Sequence, residues 1–531
     1  MLCLILISTG RLKSTWYIAG ADNYEKKPWQ AMSKHCGSLN DGVKSRWVLS
    51  LLTKLLNLLY DARIIENDSL LNTFIPTDFT DVGQGALLYD AYHHRLRYCE
   101  GMGWIVYSDG IWTQSETAAQ GYSQRLTYLQ MHEAEAMQMA DISAAKKIAS
   151  SSETYIEYVM LRRSSARIAA ALKEAKPKLS IKASMLDGDP LILNTPDGEI
   201  RLDTGEVSPH DPEHFMTHMT SCSPSVEGAD IWDKFLHQIA CDDEELVMFL
   251  KQVVGMAAIG KVYEERLIIA LGSGGNGKST FFNAIQDVLG DYACTIRSEL
   301  LVASNDSGKK FEYARLRGRR FAIAEELGEN RQLDSAEVKQ LCSTGEINAQ
   351  FKGKDVFTFK PSHSIVLCTN HMPSVKVIDS GTWDRLIVIP FNGRFRNQTN
   401  EIKNYGNYLA KNCGGAILQW IIEGAREYIQ NDYKLIVPDC ISKATEQYRQ
   451  ENDWLTAFFD EYIALDKNED TYGNEIYEAY TSFCHEHGER ALPMSSVIPM
   501  VASKAGITKK RSKKGNVYPG MRIKDEFERE G

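Results

Sequence analysis

A glycine-rich stretch, Gly272-Ser-Gly-Gly-Asn-Gly-Lys-Ser-Thr280, separates two apolar segments of the chain. The run Leu267–Leu271 before it predicts a buried strand, and the pattern of Phe281–Leu289 after it predicts a helix. Strand, glycine loop and helix in this order are typical of a phosphate-binding P-loop. Glycines let the backbone turn its N–H groups toward a phosphate at the helix N-terminus, where the helix dipole favours negative charge. The stretch therefore predicts that the protein binds a nucleoside triphosphate.

The residues of this stretch have separate expected roles. Lys278 is expected to reach the β- and γ-phosphates, and the Ser279 hydroxyl is expected to hold Mg²⁺. The residues expected to contact the nucleotide are Gly272, Gly274, Gly275, Asn276, Gly277, Lys278, Ser279 and Thr280. The expected cofactors are ATP and Mg²⁺.

A second apolar segment ends in two carboxylates. The residues Arg319-Arg-Phe-Ala-Ile-Ala-Glu-Glu326 predict a short strand with a Walker B pair at its end. Glu325 is expected to bind Mg²⁺ directly or through water, and Glu326 is expected to orient and deprotonate the attacking water. An acidic pair after an apolar run is usually only a strand end that meets solvent. Its position after the glycine-rich stretch favours the catalytic interpretation.

A third apolar run, Ser364–Thr369, precedes Asn370, whose amide is expected to contact the γ-phosphate or the attacking water. Arg385 then leads into a fourth apolar run, Leu386–Phe391. The whole set resembles the superfamily 3 helicases of the phage and plasmid primase-helicase type, which are related to the poxvirus helicase-primase. The resemblance implies an α/β fold with an AAA+-like P-loop NTPase core, in which Asn370 is the sensor and Arg385 is the arginine finger.

Two β-rich segments around Gly353 predict a hairpin with a basic tip. A lysine pair at a turn is by itself an ordinary solvated surface. In the family that the chain resembles, the hairpin projects into the channel of a hexameric ring and touches single-stranded DNA. The resemblance therefore implies DNA contact by Lys352 and Lys354, and a homo-oligomer, expected to be a hexamer.

The C-terminal part reads as a helix from Tyr472 to His487, a helix from Ser495 to Ala505, and a strand, turn and strand. This order predicts a winged helix that lays the helix 495–505 in a DNA groove. Between Thr508 and Lys524 there are seven Lys and Arg residues and no acidic residue. The expected phosphate contacts are Lys509, Lys510, Arg511, Lys513 and Lys514. The alternative is a solvated basic tail.

The resulting domain organisation has five parts. They are an N-terminal helical segment over 1–75, an α+β domain over 76–225, a helical collar and ATPase core over 226–400, a helical extension over 401–455 and the winged helix over 456–531. The first part has an amphipathic helix at 43–59, and the second has a hairpin at 104–112 and a β meander at 191–208. Thr80, Asp81, Trp104 and Trp112 resemble the domain that precedes the helicase core in the family, although Asn194-Thr-Pro-Asp-Gly198 departs from its usual asparagine-glycine.

Composition narrows the setting. The chain has 531 residues and a net charge of −10, so any DNA-binding surface must be local. Its eleven cysteines have no C-x-x-C pair, which predicts reduced thiols and a cytoplasmic protein, in a bacterial host if the gene belongs to a phage or plasmid. Neither Asp187-Gly-Asp189 nor Cys484-His-Glu-His487 is expected to bind metal. No window approaches the roughly 20 apolar residues that span a bilayer, so no membrane partner is expected.

The predicted function is an ATP-dependent DNA helicase of a phage, plasmid or other mobile element, acting on single-stranded and forked DNA. Members of the family carry an upstream primase domain with an aspartate cluster, which the first 80 residues do not show. We therefore expect no primer synthesis. A primase must either come from another chain, as a partner together with other replication proteins, or be missing through truncation. One alternative is an origin-binding initiator that uses ATP only as a switch. Another is a P-loop ATPase of DNA packaging or host defence, which has no need of the basic hairpin.

Overall fold

The computed structural model describes residues 71, 73–143, 149–302, 308–328, 331–350, 352–353, 356–375, 380–395, 404–488, 491–513 and 515–529. By its contacts the chain divides into two compact units, Met1–Asn72 and Thr73–Gly531. The helix predicted over 43–59 lies outside the described residues. The second unit is a mixed α/β structure with a five-stranded parallel sheet.

The second unit begins with a four-stranded sheet of order β3-β2-β1-β4. Its strands are β1 (Leu96–Cys99), β2 (Gly103–Ser108), β3 (Ile111–Gln114) and β4 (Ser180–Ile181), and its helices are α1 (Asp81–Tyr92), α2 (Glu116–Ser143), α3 (Ala149–Arg162) and α4 (Ser165–Leu179). The predicted hairpin is confirmed, because β2 and β3 pair antiparallel with Tyr107 opposite Trp112. Asp109 and Gly110 between them have φ of 52° and 82°, the positive values that a two-residue turn needs to follow the strand twist.

A small antiparallel sheet follows and confirms the predicted meander. It has the order β5-β6-β7 and consists of β5 (Ile192–Thr195), β6 (Gly198–Arg201) and β7 (Val207–Ser208). Asn194, where the sequence departs from the family pattern, is completely buried. Its side-chain amide donates to the Gly110 carbonyl at 3.0 Å, and its backbone N–H donates to the Tyr292 hydroxyl at 3.1 Å. This residue therefore ties the first hairpin to the central part of the unit.

The central sheet has the order β14-β8-β13-β10-β9, and all its strands run parallel. Its strands are β8 (Leu267–Leu271), β9 (Ala293–Arg297), β10 (Phe321–Glu325), β13 (Ser364–Thr369) and β14 (Leu386–Pro390), and a separate hairpin consists of β11 (Ile347–Gln350) and β12 (Val356–Phe359). The helices of this region are α5 (Ala229–Ala240), α6 (Glu244–Ala258), α7 (Lys278–Leu289), α8 (Lys309–Tyr313), α9 (Ser335–Leu341), α10 (Ser380–Trp383), α11 (Tyr405–Gln430) and α12 (Asp439–Glu451).

The central strands are buried on both faces. In β8, Ile268 and Ala270 belong to the apolar cluster that includes α5, α6, α7 and α11. Leu267 and Ile269 alternate with them and belong to the cluster on the other face. Successive strand residues point to opposite faces, so a strand covered on both sides reads as a continuous apolar run. This is why the sequence predicts β8, β10, β13 and β14. The edge strand β9, in which Thr295 and Arg297 are exposed, was not predicted.

The C-terminal region has its own apolar cluster. Its elements are α13 (Trp454–Tyr462), β15 (Ile463–Tyr472), α14 (Gly473–Glu486), α15 (Met494–Ala505), β16 (Lys510–Ser512), β17 (Gly515–Ile523) and α16 (Glu526–Arg529). The two predicted helices and the strand, turn and strand are present. Strand β15 was not predicted. It pairs with β17 only at its two ends, with a register shift between Leu465 and Asp470, and its polar middle carries no strand pattern.

Two features are absent from the described ranges. None of the described helices is long and apolar enough to cross a membrane. The same residues hold no group of three His, Cys, Asp or Glu side chains placed to bind a metal. Asp187 instead accepts the backbone N–H of Thr217 at 2.8 Å. The nine cysteines that the structure describes are free thiols.

Candidate nucleotide-binding site

The loop between β8 and α7 has a backbone shape that favours glycine. Gly274, Gly275 and Gly277 have φ of 92°, 67° and 86°, values that residues with a side chain rarely adopt. Gly272 has no room for a side chain, because a Cβ atom there would lie 1.7 Å from the Asn276 amide nitrogen. A Cβ atom on Gly274, in contrast, would meet nothing within 4 Å. The loop is thus closed toward the protein and open on its other side.

The segment after β14 holds this loop in place. The Asn276 side-chain amide donates to the Phe391 carbonyl at 3.0 Å, and the Phe395 N–H donates to the Gly275 carbonyl at 2.9 Å. Asn276 is only 4% exposed, so its side chain braces the loop, and a contact with nucleotide falls to its backbone. Sequence reasoning missed Phe391 and Phe395, since nothing in the apolar run before them indicates a contact with the loop.

Lys278 begins α7 and is buried beside the loop, at 4% exposure. Its ammonium donates to the Gly272 carbonyl at 2.6 Å and to the side-chain oxygen of Asn370 at 3.0 Å. Both partners are neutral oxygens, and burial lowers the pKa of this lysine. A buried cation whose hydrogen-bond partners carry no charge favours an anion nearby. The structure thus brings together Lys278 and Asn370, two residues that the sequence assigns to the same predicted nucleotide site.

The first turn of α7 offers further groups to an anion. Gly277 is the N-cap residue and supplies no side-chain oxygen to the backbone N–H groups of that turn. Such N–H groups, together with the helix dipole, attract phosphate. The Ser279 side chain is exposed at the same helix end, and Thr280 is half-buried beside it.

The two predicted catalytic carboxylates lie at the end of β10. Glu325 is the last residue of the strand, Glu326 follows it, and both side chains are exposed. The Glu326 backbone has φ of 49°, a left-handed conformation that is uncommon for a residue with a side chain. Its N–H donates to the Cys368 carbonyl at 3.1 Å, and its carbonyl accepts from the Ser298 hydroxyl at 3.2 Å. The backbone is therefore held on both sides, and strained residues of this kind often occur at functional sites.

The glycine loop, Asn370 and the carboxylates share one edge of the central sheet. Strand β13 lies between β8 and β10, with Thr369 opposite Leu271 and Cys368 opposite Glu325. Because all three strands are parallel, the residues that follow them meet at the carboxyl edge, where open α/β sheets bind ligands.

The pKa of the buried Cys368 thiol depends on the charged groups at this edge. The pKa of its thiol is raised to about 12, mainly by burial and also by the Glu325 carboxylate, while the Lys278 ammonium acts in the opposite direction. Lys278 and Glu325 therefore both lie close enough to this thiol to interact with it electrostatically. The hydroxyl of Ser279 and the carboxylates of Glu325 and Glu326 are oxygen ligands of the kind that Mg²⁺ prefers. The donor set at this edge fits a magnesium ion bound with a triphosphate.

Arg385 lies elsewhere. It directly precedes β14, and its carbonyl accepts the N–H of Leu267, so it lies at the amino ends of β8 and β14. Five strand residues at about 3.3 Å each put roughly 16 Å between this end and the glycine loop. The guanidinium donates to the Gly381 carbonyl and forms an ion pair with Glu265. Of the predicted catalytic residues, the structure brings Glu326 and Asn370 to the edge of the loop and leaves Arg385 at the opposite edge.

The predicted hairpin is formed by β11 and β12, which pair antiparallel with Ile347 opposite Phe359. Lys352 and Gly353 lie between the two strands, and Lys352 is exposed. Lys354 lies outside the described residues. Arg317 lies over the ring of Phe357 at 5.4 Å from its centre, so a second cation adjoins the hairpin.

The predicted phosphate contacts of the C-terminal region lie around β16. Lys509, Lys510, Arg511 and Lys513 are all exposed, and Lys514 lies outside the described residues. Arg522 on β17 is instead paired with Glu528. The exposed basic side chains thus concentrate on β16 and the residues that flank it.

Comparison with known protein families gives two matches. Residues 85–241 match the family described as "D5 N terminal like". Residues 270–385, which include the glycine loop, Asn370 and Arg385, match a family described as of unknown function. The first match covers the two small sheets together with α5.

Curated relatives come from large DNA viruses. A protein of African swine fever virus named "Putative primase" is 24% identical over 324 residues, covering 56% of this chain and 34% of the relative. A "Putative helicase" of Frog virus 3 is 23% identical over 321 residues, covering 56% of this chain and 32% of the relative. A "Putative helicase" of Acanthamoeba polyphaga mimivirus is 27% identical over 240 residues, covering 42% of this chain and 25% of the relative. The matched part is about a third of the first two relatives and a quarter of the third.

Solved structures give a distant match. The apo structure of the NrS-1 C-terminal region aligns with 80% of this chain and 94% of its own, at 9% identity and a TM-score of 0.43.

Proposed function

Since the chain belongs to the D5-like primase-helicase family of superfamily 3, we propose that it is an ATP-dependent DNA helicase that works as a ring on single-stranded DNA. It would act in the replication of a viral, phage or other mobile genome. The observation that carries this proposal is the pairing of buried Lys278 with the Asn370 side chain at the glycine loop. In this reading the loop is a P-loop and the central sheet is an AAA+-like core.

In the proposed hydrolysis, each side chain at the carboxyl edge has a separate role. The loop N–H groups and the Lys278 ammonium bind the triphosphate, and Asn370 orients its γ-phosphate or the attacking water. Glu326 accepts the proton of that water as it attacks phosphorus, so the proton ends on the carboxylate and the bond to ADP breaks. Ser279 and Glu325 would hold Mg²⁺, which supplies charge neutralisation at the phosphate oxygens.

The position of Arg385 supports a shared site. A side chain at the amino edge cannot reach the triphosphate of its own chain across roughly 16 Å of strand. In a head-to-tail ring the amino edge of one subunit can face the carboxyl edge of the next. We therefore assign Arg385 to the site of the neighbouring subunit, where its guanidinium stabilises the charge that develops on the transferred phosphoryl group.

Two surfaces are proposed to hold DNA. Lys352 at the exposed hairpin turn would contact single-stranded DNA in the ring, and Lys354 would do so with it. The C-terminal region would act as a winged helix, with α15 in the groove and the cations around β16 on phosphates. The concentration of four exposed cations on so short a segment also favours a second candidate function, an origin-binding initiator that uses ATP as an assembly switch.

The test combines ATP hydrolysis, ring mass and strand displacement on the full chain. We expect ATPase activity that single-stranded DNA stimulates, an assembled species in ATP and Mg²⁺, and unwinding of a forked duplex. The Lys278→Ala variant should lose all three, whereas Lys411→Ala, at an exposed position of α11, should keep them. ATP-dependent assembly on duplex DNA without strand displacement would favour the initiator, and a parent protein that hydrolyses no ATP in either condition would refute the helicase proposal.

A further inference from the structure

Arg385 is held within its own chain by two oxygen groups. One guanidinium nitrogen donates to the Gly381 carbonyl in α10, and the other pairs with the Glu265 carboxylate. The side chains of Arg385 and Glu265 are 21% and 31% exposed, so this pair is partly shielded from water. Partial burial makes the pair stronger than a surface ion pair and less sensitive to salt.

Glu265 has a second contact, on the other side of its carboxylate. One oxygen pairs with Arg385, and the other accepts the backbone N–H of Thr344 at 3.3 Å. Thr344 lies three residues before β11, the first strand of the hairpin that carries Lys352. A single carboxylate therefore bridges the arginine at the amino edge of the sheet to the segment that leads into the hairpin.

Two other charged side chains of this region, those of Glu264 and Arg266, have partners of their own. Glu264 accepts from Arg266 at 3.2 Å and from the Leu435 N–H at 2.7 Å, and Arg266 also donates to the Asp384 backbone carbonyl. A cavity of about 250 Å³ is lined by Glu264, Glu265, Arg266, Asp384 and Arg385. The cavity leaves room for the Arg385 side chain to change position.

We propose that Glu265 is a positioning residue that holds Arg385 back until DNA moves the hairpin. This inference rests on the proposed function, because it concerns the arginine assigned to the neighbouring site. A carboxylate in contact with the guanidinium opposes part of its positive charge, and that charge is what a finger supplies to a developing phosphate anion. When DNA pulls on the hairpin, the Thr344 segment draws the Glu265 carboxylate with it and away from the Arg385 guanidinium. Arg385 is then released toward the adjacent subunit.

The proposed role of Glu265 is tested by comparing Glu265→Gln with the parent in ATPase assays with and without oligo-dT. Glutamine keeps the size of the side chain and removes its charge, so the rate without DNA should rise by about 5-fold or more, the lower range of allosteric coupling. The rate with DNA should stay close to that of the parent, so the stimulation ratio falls. Glu265→Asp should restore part of the ratio.

Asp384→Asn is the matched control. Asp384 is exposed, adjoins Arg385 in sequence and lines the same cavity, but it takes part through its backbone carbonyl. Removing its charge should leave the stimulation ratio unchanged. Equal rates in Glu265→Gln and the parent without DNA, or a fall in both rates with an unchanged ratio, would overturn the proposal.

Hydrogen exchange of the parent separates this inference from the proposed function. Oligo-dT should speed exchange over 381–385, where Arg385 is held, whether or not the protein hydrolyses ATP. If DNA binds and exchange at these positions does not change, the proposed role of Glu265 is refuted, but the proposed helicase function is not. A parent without ATPase activity refutes the helicase proposal, whatever the exchange shows.

Discussion

Arg385→Ala tests whether one catalytic site is built from two chains. The structure places this arginine roughly 16 Å from its own glycine loop, so the variant should fold and bind ATP normally. Loss of an arginine finger slows hydrolysis by about 10³-fold or more. Glu326→Gln should be equally inactive for another reason, because its amide keeps the shape of the carboxylate and cannot accept the proton of water.

Mixing the two inactive variants gives a prediction that a single-chain site cannot meet. An Arg385→Ala subunit keeps both carboxylates, and a Glu326→Gln subunit keeps the arginine. In a head-to-tail ring filled at random from equal amounts, about one quarter of the interfaces join an intact carboxylate pair to an intact arginine. If interfaces hydrolyse independently, the mixture should regain about a quarter of the parent rate, measured as phosphate release after both variants assemble together.

The matched control is a mixture of Arg385→Ala with the double variant Arg385→Ala/Glu326→Gln, in which every interface lacks the arginine. This mixture should stay inactive. Native mass measurement must show that both pairs form mixed rings. If mixed rings form and the first mixture gains no activity over its components, Arg385 acts within its own subunit or only in its structure, and the shared site is refuted.

Three further outcomes are expected. Lys278→Ala should abolish binding of a fluorescent ATP analogue in titrations, since the phosphates lose the buried ammonium, and unchanged affinity would contradict the P-loop assignment. Gly277→Ala should lower both the melting temperature and the nucleotide affinity, because a Cβ at φ of 86° would lie 2.6 Å from the Ile239 side chain. Such strain costs about 1–3 kcal/mol. A melting curve like that of the parent would argue against this loop shape. Removing 456–531 should weaken duplex binding and make its affinity less dependent on salt, because up to about five phosphate contacts are lost. An unchanged slope of affinity against salt concentration would make the basic segment an ordinary tail.

The sequence predicted four of the five central strands, β8, β10, β13 and β14, because each reads as an apolar run. Leu267–Leu271 and Ser364–Thr369 read as unbroken apolar runs, which need no knowledge of their neighbours to be recognised. The segments that follow these runs lie at the carboxyl edge, where the Lys278 ammonium meets the Asn370 side chain, a contact that was not itself predicted. Strand β15 had no such signal, because it pairs only at its ends and its middle is charged.

The side chains that hold the site in place could not be predicted in this way. Asn276 matches the motif whether it faces a ligand or braces the loop, and only the three-dimensional position of Phe391 decides between the two. The same holds for Arg385, whose place before a strand fixes the edge of the sheet on which it lies but not its partner. Glu265 belongs to no motif and is separated from Arg385 by 120 positions in the chain. Its role depends on β8 and β14 being neighbours in the sheet, and a sheet order that joins the first and last of these strands is a property of the folded chain rather than of any local pattern.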